Sequence, residues 1–292
     1  MQIVTDRACD LSAPQREGLE IHYVPMRFTL DGKTYSSGVD VTSETFYDLL
    51  EKSNGFPTTS QPSSGEFADV YRKLAKTDPE ILSIHISSGL SGTMNSARAG
   101  AAMVPEAKVT FWDTKTLSCP EAWQVEVAAR ALLAGWPLSR IFDLLERIGK
   151  KSEGIFTVDT LKYLIHGGRI SHLKGLLASV LKIRPIIAVD KVSGKYYTLA
   201  QERTEKRSIE KIAEIVSGLY PEGTRLRVQL LHGKCPEILG ILREKMSSMF
   251  DCCWTPTTNV APILGAHTGK GVVGLSVGPA DLFSEVPGIC MN

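Results

Sequence analysis

No stretch of this chain reaches the ~18 consecutive apolar residues that a membrane-spanning helix requires. An excess of charge is missing too, with 33 Lys and Arg against 32 Asp and Glu. A nucleic-acid binder would show a basic excess or a basic stripe. The basic cluster at 203–211 is interleaved with Glu and reads as a solvated helix face. The N-terminus, Met1-Gln2-Ile3-Val4-Thr5-Asp6, has neither the basic nor the apolar region of a signal peptide. The six cysteines, Cys9, Cys119, Cys235, Cys252, Cys253 and Cys290, form no C-x-x-C pair. No His is spaced beside them as zinc would need. The expectation is a cytoplasmic chain with buried or partly buried reduced thiols and no metal. Neither G-x-x-x-x-G-K-[ST] nor G-x-G-x-x-G after a strand occurs, so no nucleotide cofactor is expected by those routes. Internal repeats and low-complexity segments are also absent.

What is present is enough chain, 292 residues at 43% apolar, for about two ordinary domains. In the first half, short apolar runs at 3–5, 21–30, 81–86 and 109–112 read as strands. Helical spacing of apolar residues appears at 66–76 and 123–133. Strands alternating with helices argue for βαβ units and a parallel sheet. The polar stretch 149–154 is taken as a boundary between an N-terminal α/β domain, 1–153, and a C-terminal one, 154–292. The second half predicts a strand at 154–158, then a hairpin whose strands, 185–189 and 196–200, flank a turn containing Ser193-Gly194. A helix at 205–219 with Thr204 as N-cap, a strand at 225–231, a helix at 236–250 and a strand at 271–277 complete a mixed sheet.

Four loops combine small hydroxyl residues with glycine: 6–11, 58–66, 87–93 and 266–271. In parallel α/β sheets, ligands sit beyond the carboxyl ends of strands, on loops of this kind. Each has a plainer reading. Ser63 and Glu66 have capping-box spacing, and Ser91 and Thr93 could be ordinary helix caps. Together, though, hydroxyls and backbone N–H groups at helix N-termini make a cradle for an anion. His22, His85, His172 and His232 have no recognisable partners and read as structural or surface residues.

A serine hydrolase is the enzymatic alternative. Gly89-Leu90-Ser91-Gly92-Thr93 nearly matches the G-x-S-x-G elbow in a strand-turn-helix context, with His267 downstream of the serine. His166-Gly167-Gly168 has the look of an oxyanion-hole motif. Against this, the fifth elbow residue is Thr93, the His-Gly-Gly follows the serine rather than preceding it, and no motif singles out an acid.

Several motifs in order resemble the DegV family across essentially the whole chain. They are Val4-Thr5-Asp6 with Asp10-Leu11, Thr59-Ser60-Gln61-Pro62-Ser63, the loop 87–93, Asp113-Thr114, the run 161–170 ending in Gly167-Gly168-Arg169-Ile170, Lys182-Ile183-Arg184-Pro185-Ile186, Arg203-Thr204 and His267-Thr268-Gly269. Arg7 and Cys9 stand where small or hydroxyl residues are usual in that family. Cys119-Pro120-Glu121 replaces a glycine-containing stretch, and Lys270 stands where proline is common.

The resemblance implies a two-domain α/β protein that encloses one long-chain fatty acid between its domains and performs no chemistry alone. It implies that Thr59 and Ser91, with Gly92, Thr93 and His267, surround the carboxylate. It further implies a separate ATP-using fatty acid kinase subunit as partner, whose acyl phosphate product enters phospholipid synthesis. Arg169 and Arg203 match family arginines that would contact that kinase or the new phosphate. A carrier of some other apolar, anionic ligand is the remaining alternative.

Overall fold

A computed structural model describes residues 1–173 and 183–289. Lys182, Cys290 and the side chain of His172 lie outside what is described. Strand β1 (Gln2–Asp6) leads through the single turn α1 (Ala13–Arg16) to β2 (Ile21–Val24). The chain then leaves that sheet. β3 (Arg27–Leu30), β4 (Lys33–Ser36) and, after α2 (Ser43–Lys52), β5 (Thr58–Ser60) make a small antiparallel sheet of order β4-β3-β5. The run 21–30, expected as one strand, is therefore two strands in two sheets. Pro25 stands at the break, where it offers no ladder N–H.

α3 (Ser64–Ala75), β6 (Glu80–His85), α4 (Thr93–Ala102), β7 (Lys108–Asp113), α5 (Ser118–Leu133) and α6 (Leu138–Lys151) complete the amino-terminal layers. The main sheet there, order β2-β1-β6-β7, is parallel throughout. Alternation along its strands sends side chains to opposite faces. Val4 and Ile81 pack with α3 residues Phe67 and Tyr71, whereas Ile3, Leu82 and Ile84 pack with α5 and α6. The result is the expected α/β/α arrangement.

The remaining elements are β8 (Glu153–Thr157), α7 (Lys162–His166), a 3₁₀ turn (Arg169–His172), β9 (Arg184–Val189), β10 (Tyr196–Glu202) and α8 (Glu205–Leu219). They continue with β11 (Arg225–His232), a 3₁₀ turn (Pro236–Ile238), α9 (Leu239–Met249), β12 (Asp251–Trp254), β13 (Thr258–Asn259), α10 (Pro262–Thr268), β14 (Val273–Pro279) and α11 (Ala280–Ser284). Their mixed sheet has the order β10-β9-β8-β14-β11-β12, with β13 also on β11. The predicted hairpin is the antiparallel pair β9–β10. Thr204 caps α8 through the Arg207 N–H as anticipated. The helix expected at 236–250 instead begins as the 3₁₀ turn. α8 and α9 cover one face of the sheet. Its other face meets Ala8, Met26, Ile86, Leu90 and Cys119 of the amino-terminal layers in a shared apolar cluster.

Contacts at the centre and at the rim hold the layers together. Almost every residue of α5 is buried, because sheets lie on both of its sides. From α5, Glu126 accepts a hydrogen bond from Arg227 Nη2 of β11 at 2.6 Å, and both side chains are nearly inaccessible, at 4% and 1%. The guanidinium also lies 5.0 Å from the Trp123 ring centre and 4.7 Å from that of Phe283. Trp123 Nε1 donates to Gln229 Oε1 at 2.7 Å. Farther out, Phe46 and Tyr47 of α2 pack with Ala266 of α10, while Lys234 and Lys270 pair with Asp48 and Glu51 at the rim.

Glu126→Ala leaves Arg227 buried without its counter-charge. The expected loss is about 3–5 kcal/mol of unfolding free energy, read as a lower urea midpoint at unchanged slope. A loss below about 1 kcal/mol would mean that water, not Glu126, balances Arg227.

Candidate ligand-binding site

The shared apolar cluster is not filled. A cavity of about 260 Å³ opens within it, where the polar side chains of Thr59, Ser60, Gln61, Ser91, Arg169 and His267 share the wall with Met26, Ile86, Leu90 and Ile263. Thr59, Ser91, Arg169 and His267 arrive from four separate parts of the chain. Thr59 belongs to β5, where it pairs with Phe28, so part of the expected loop 58–66 is a strand. Ser63 begins α3 with a complete capping box to Glu66, so that end of the loop serves the helix. Ser91 precedes α4, its hydroxyl 2.8 Å from that of Thr93 and accepting from the Thr93 N–H at 3.2 Å. Gly92 is the N-cap of α4 and Thr93 is fully buried. His267 sits in the last turn of α10, not in a loop, because Pro262 starts a helix and Gly269 ends it.

The imidazole defines the electrostatics. Its Nε2 lies 2.8 Å from Thr59 Oγ1, and its Nδ1 has no hydrogen-bond partner among the described residues. Gly167 approaches so closely that a Cβ there would lie 2.1 Å from Nδ1, so any side chain at 167 would displace the ring. Burial, and then the charge of Arg169, hold the His267 pKa down from 6.5 to about 3, leaving the ring neutral. Arg169 donates from Nη1 to the Gly167 carbonyl at 2.7 Å and is half-buried. Among the described residues no carboxylate pairs with it. The site thus presents one fixed positive charge, a neutral imidazole, the hydroxyls of Thr59, Ser60 and Ser91 and the amide of Gln61, amid apolar side chains.

This arrangement does not build the hydrolase alternative. Ser91 bonds Thr93 and His267 bonds Thr59, and no described carboxylate orients His267. The Gly167 and Gly168 N–H groups already donate to the carbonyls of Tyr163 and Ile165, so they offer no oxyanion hole.

The sequence-based candidates separate in space. Thr59, Ser91, His267 and Arg169 come together. Arg203 is exposed just before α8 and is not among the cavity-lining residues. Neither are Arg7, Cys9 and Lys270: Arg7 stacks on Tyr23, Cys9 is buried, and Lys270 pairs with Glu51. His85 proves structural, its Nδ1 3.1 Å from Asp6 and its Nε2 2.6 Å from Ser83, with all three fully buried. Sequence reasoning missed the apolar wall, including Leu117, Tyr196 and Leu264. Their only signal was a place in apolar runs indistinguishable from ordinary core. Five of the cysteines are free thiols, buried or partly so. Among the described residues no group of three or more His, Cys, Asp or Glu could hold a metal, and no helix is long and apolar enough to cross a membrane.

Comparison with known proteins places these features in a wider set. The model of a family described as "Uncharacterised protein, DegV family" matches residues 1–280. A DegV domain-containing protein of Staphylococcus aureus is 34% identical over 275 residues, covering 94% of this chain and 97% of its own. One of Listeria innocua is 32% identical over 277 residues, covering 94% and 96%. A Thermus thermophilus DegV family protein, its structure described for fatty acid binding, superposes with a TM-score of 0.86 at 29% identity, covering 95% of this chain and 99% of that one. DegV of Bacillus subtilis, described as a fatty acid binding protein, gives a TM-score of 0.84 at 28% identity, covering 95% and 98%.

The depressed His267 pKa has a measurable consequence. Unfolding takes up a proton at this residue below pH 6.5, so its contribution to stability is complete above that pH. It is lost as pH falls toward the folded value, at up to about 1.4 kcal/mol per pH unit. His267→Asn should therefore show a shallower loss of stability between pH 7 and pH 5 than the wild type. Identical slopes would mean that His267 is charged in the folded protein.

Proposed function

The chain belongs to the DegV family, and we propose that it binds a long-chain fatty acid, with the carboxylate at Thr59, Ser91, Arg169 and His267 and the acyl chain along the apolar wall. The observation that carries this reading is the meeting of those four polar groups at one cavity whose wall, apart from Ser60, Gln61 and the Tyr196 phenol, is apolar. A buried carboxylate is costly unless hydrogen-bonded and balanced by charge. Two hydroxyls meet the first need and Arg169 the second. Each methylene removed from water contributes about 0.8 kcal/mol before ordering costs, so the chain dominates affinity while the polar groups fix which end goes where. The two bodies enclosing the ligand are residues 1–153 and 154–292.

Presentation of the carboxylate to a separate ATP-using kinase subunit is the second part of the proposal. It rests on the family resemblance and on exposed Arg203, which has no ion-pair partner among the described residues. In this reading the chain is a binding subunit and the kinase carries out the phosphorylation.

Denaturing extraction of the protein purified from cells, followed by mass spectrometry, should release a fatty acid near one per chain. A different apolar anion would replace the ligand assignment, and an empty protein that binds no added acid would overturn it. Ser91→Ala is expected to weaken binding by about 1.5–3 kcal/mol, as for a hydrogen bond to a charged group. Arg203→Ala should leave affinity for the acid unchanged while slowing phosphorylation by the partner kinase. Acyl phosphate formed from ATP by this chain alone would refute the division of labour.

A further inference from the structure

Behind the main cavity lies a narrow apolar slot of about 40 Å³, reached by Pro120, Phe156 and Val260. The two spaces share Leu117, Tyr196 and Leu264 as a common wall. Tyr196 is the largest of the three. It opens β10, is 5% exposed, and sets its ring edge-on to Phe156, centres 5.6 Å apart at 69°. Burial raises its phenol pKa while the nearby charge of Arg169 opposes the rise, so the hydroxyl stays protonated and lies within reach of the polar groups' field. The ring thus stands between the charged chamber and the apolar slot.

The turn that leads into Tyr196 is held tightly in place. The hairpin turn before it is pressed against the loop that leads to Ser91. A Cβ on Gly89 would lie 2.4 Å from the Ser193 carbonyl oxygen, and one on Gly194 would lie 2.0 Å from Ser87 Oγ. Ser87 Oγ donates to the Gly194 carbonyl at 2.7 Å, and the turn closes on itself through Gly194 N–H to Asp190 O and Asp190 N–H to Lys195 O. With the turn before it held in this way, the Tyr196 side chain, the largest of the three that separate the two spaces, is the part that turning would move to open the slot.

We propose that the Tyr196 ring is the chain-length gate of the cavity, a role that rests on the fatty-acid reading. An acid whose apolar part ends within the larger chamber binds without moving the ring. A longer one reaches the slot only by turning the ring away from its resting torsion. Displacing a side chain from its rotamer costs about 0.5–1.5 kcal/mol, which corresponds to a penalty of about twofold to about tenfold in affinity. The wild type carries that penalty for long chains only.

The test uses delipidated full-length protein and titrates octanoic, dodecanoic, hexadecanoic and octadecanoic acids. Tyr196→Ala should raise affinity for octadecanoic relative to octanoic acid by about twofold to about tenfold. Tyr196→Trp should move the ratio the other way. Tyr196→Leu keeps an apolar side chain against Phe156 and carries the test should the alanine variant fail to fold. A ratio unchanged from wild type in the folded alanine or leucine variant overturns the gate while leaving fatty-acid binding intact. Wild-type protein that binds none of the four acids overturns the functional reading and the gate with it.

Discussion

The α5 helix is buried along nearly its whole length, and the rest of the molecule is arranged around that fact. Thirteen of its sixteen residues are buried, Glu121, Gln124 and Glu126 among them, and the parallel sheet and the mixed sheet both lie against it. The Glu126–Arg227 pair makes this docking specific. Apolar surfaces slide over one another at little cost, whereas a buried charge separated from its counter-charge does not. Arg227 reaches Glu126 from one register of β11 only, and its guanidinium lies against both Trp123 and Phe283, whose rings meet edge to face. The cavity lies beyond the amino-terminal end of this helix, where Leu117, β5, the loop before α4 and α10 meet without filling the space.

That cavity separates two electrostatic tasks. Arg169 supplies charge, and its own charge helps keep His267 uncharged, so the site holds one cation rather than two. A doubly cationic pocket would bind an anion more strongly but would be costly to keep empty. The hydroxyls of Thr59 and Ser91 add direction without charge. Both are held by local bonds, to His267 and to Thr93, so their orientation is set before a ligand arrives.

Sequence alone disclosed what is local. The α8 helix and its Thr204 cap, the β9–β10 hairpin and the Ser63 capping box were all legible because their partners lie within a few residues. The third sheet was not: β5 is three residues long and exists because it pairs with β3, some thirty positions earlier. Likewise the hydroxyl-rich motifs marked Thr59, Ser91 and His267 as candidates. Yet Thr59 and His267 are 208 positions apart, and only the fold makes them neighbours. Arg169 was singled out through family likeness for contact with a partner, but its place on the cavity wall beside His267 required coordinates. The inward face of Tyr196 had no sequence signal, since an aromatic at the start of a strand reads equally well as core.

The small sheet that carries Thr59 is fastened to the carboxyl-terminal layers in two ways that respond oppositely to dissolved ions. Outside, Lys234 and Lys270 hold Asp48 and Glu51 through exposed pairs that electrolyte weakens, screening charges beyond about 8 Å at physiological strength. Inside, Phe46 and Tyr47 pack on Ala266, one residue from His267, in a contact that strongly hydrated salts reinforce. As ionic strength rises, the rim loosens while the inner contact tightens. The 2.8 Å contact between Thr59 and His267 lies on the inner side of this fastening, next to the packing that does not depend on charge.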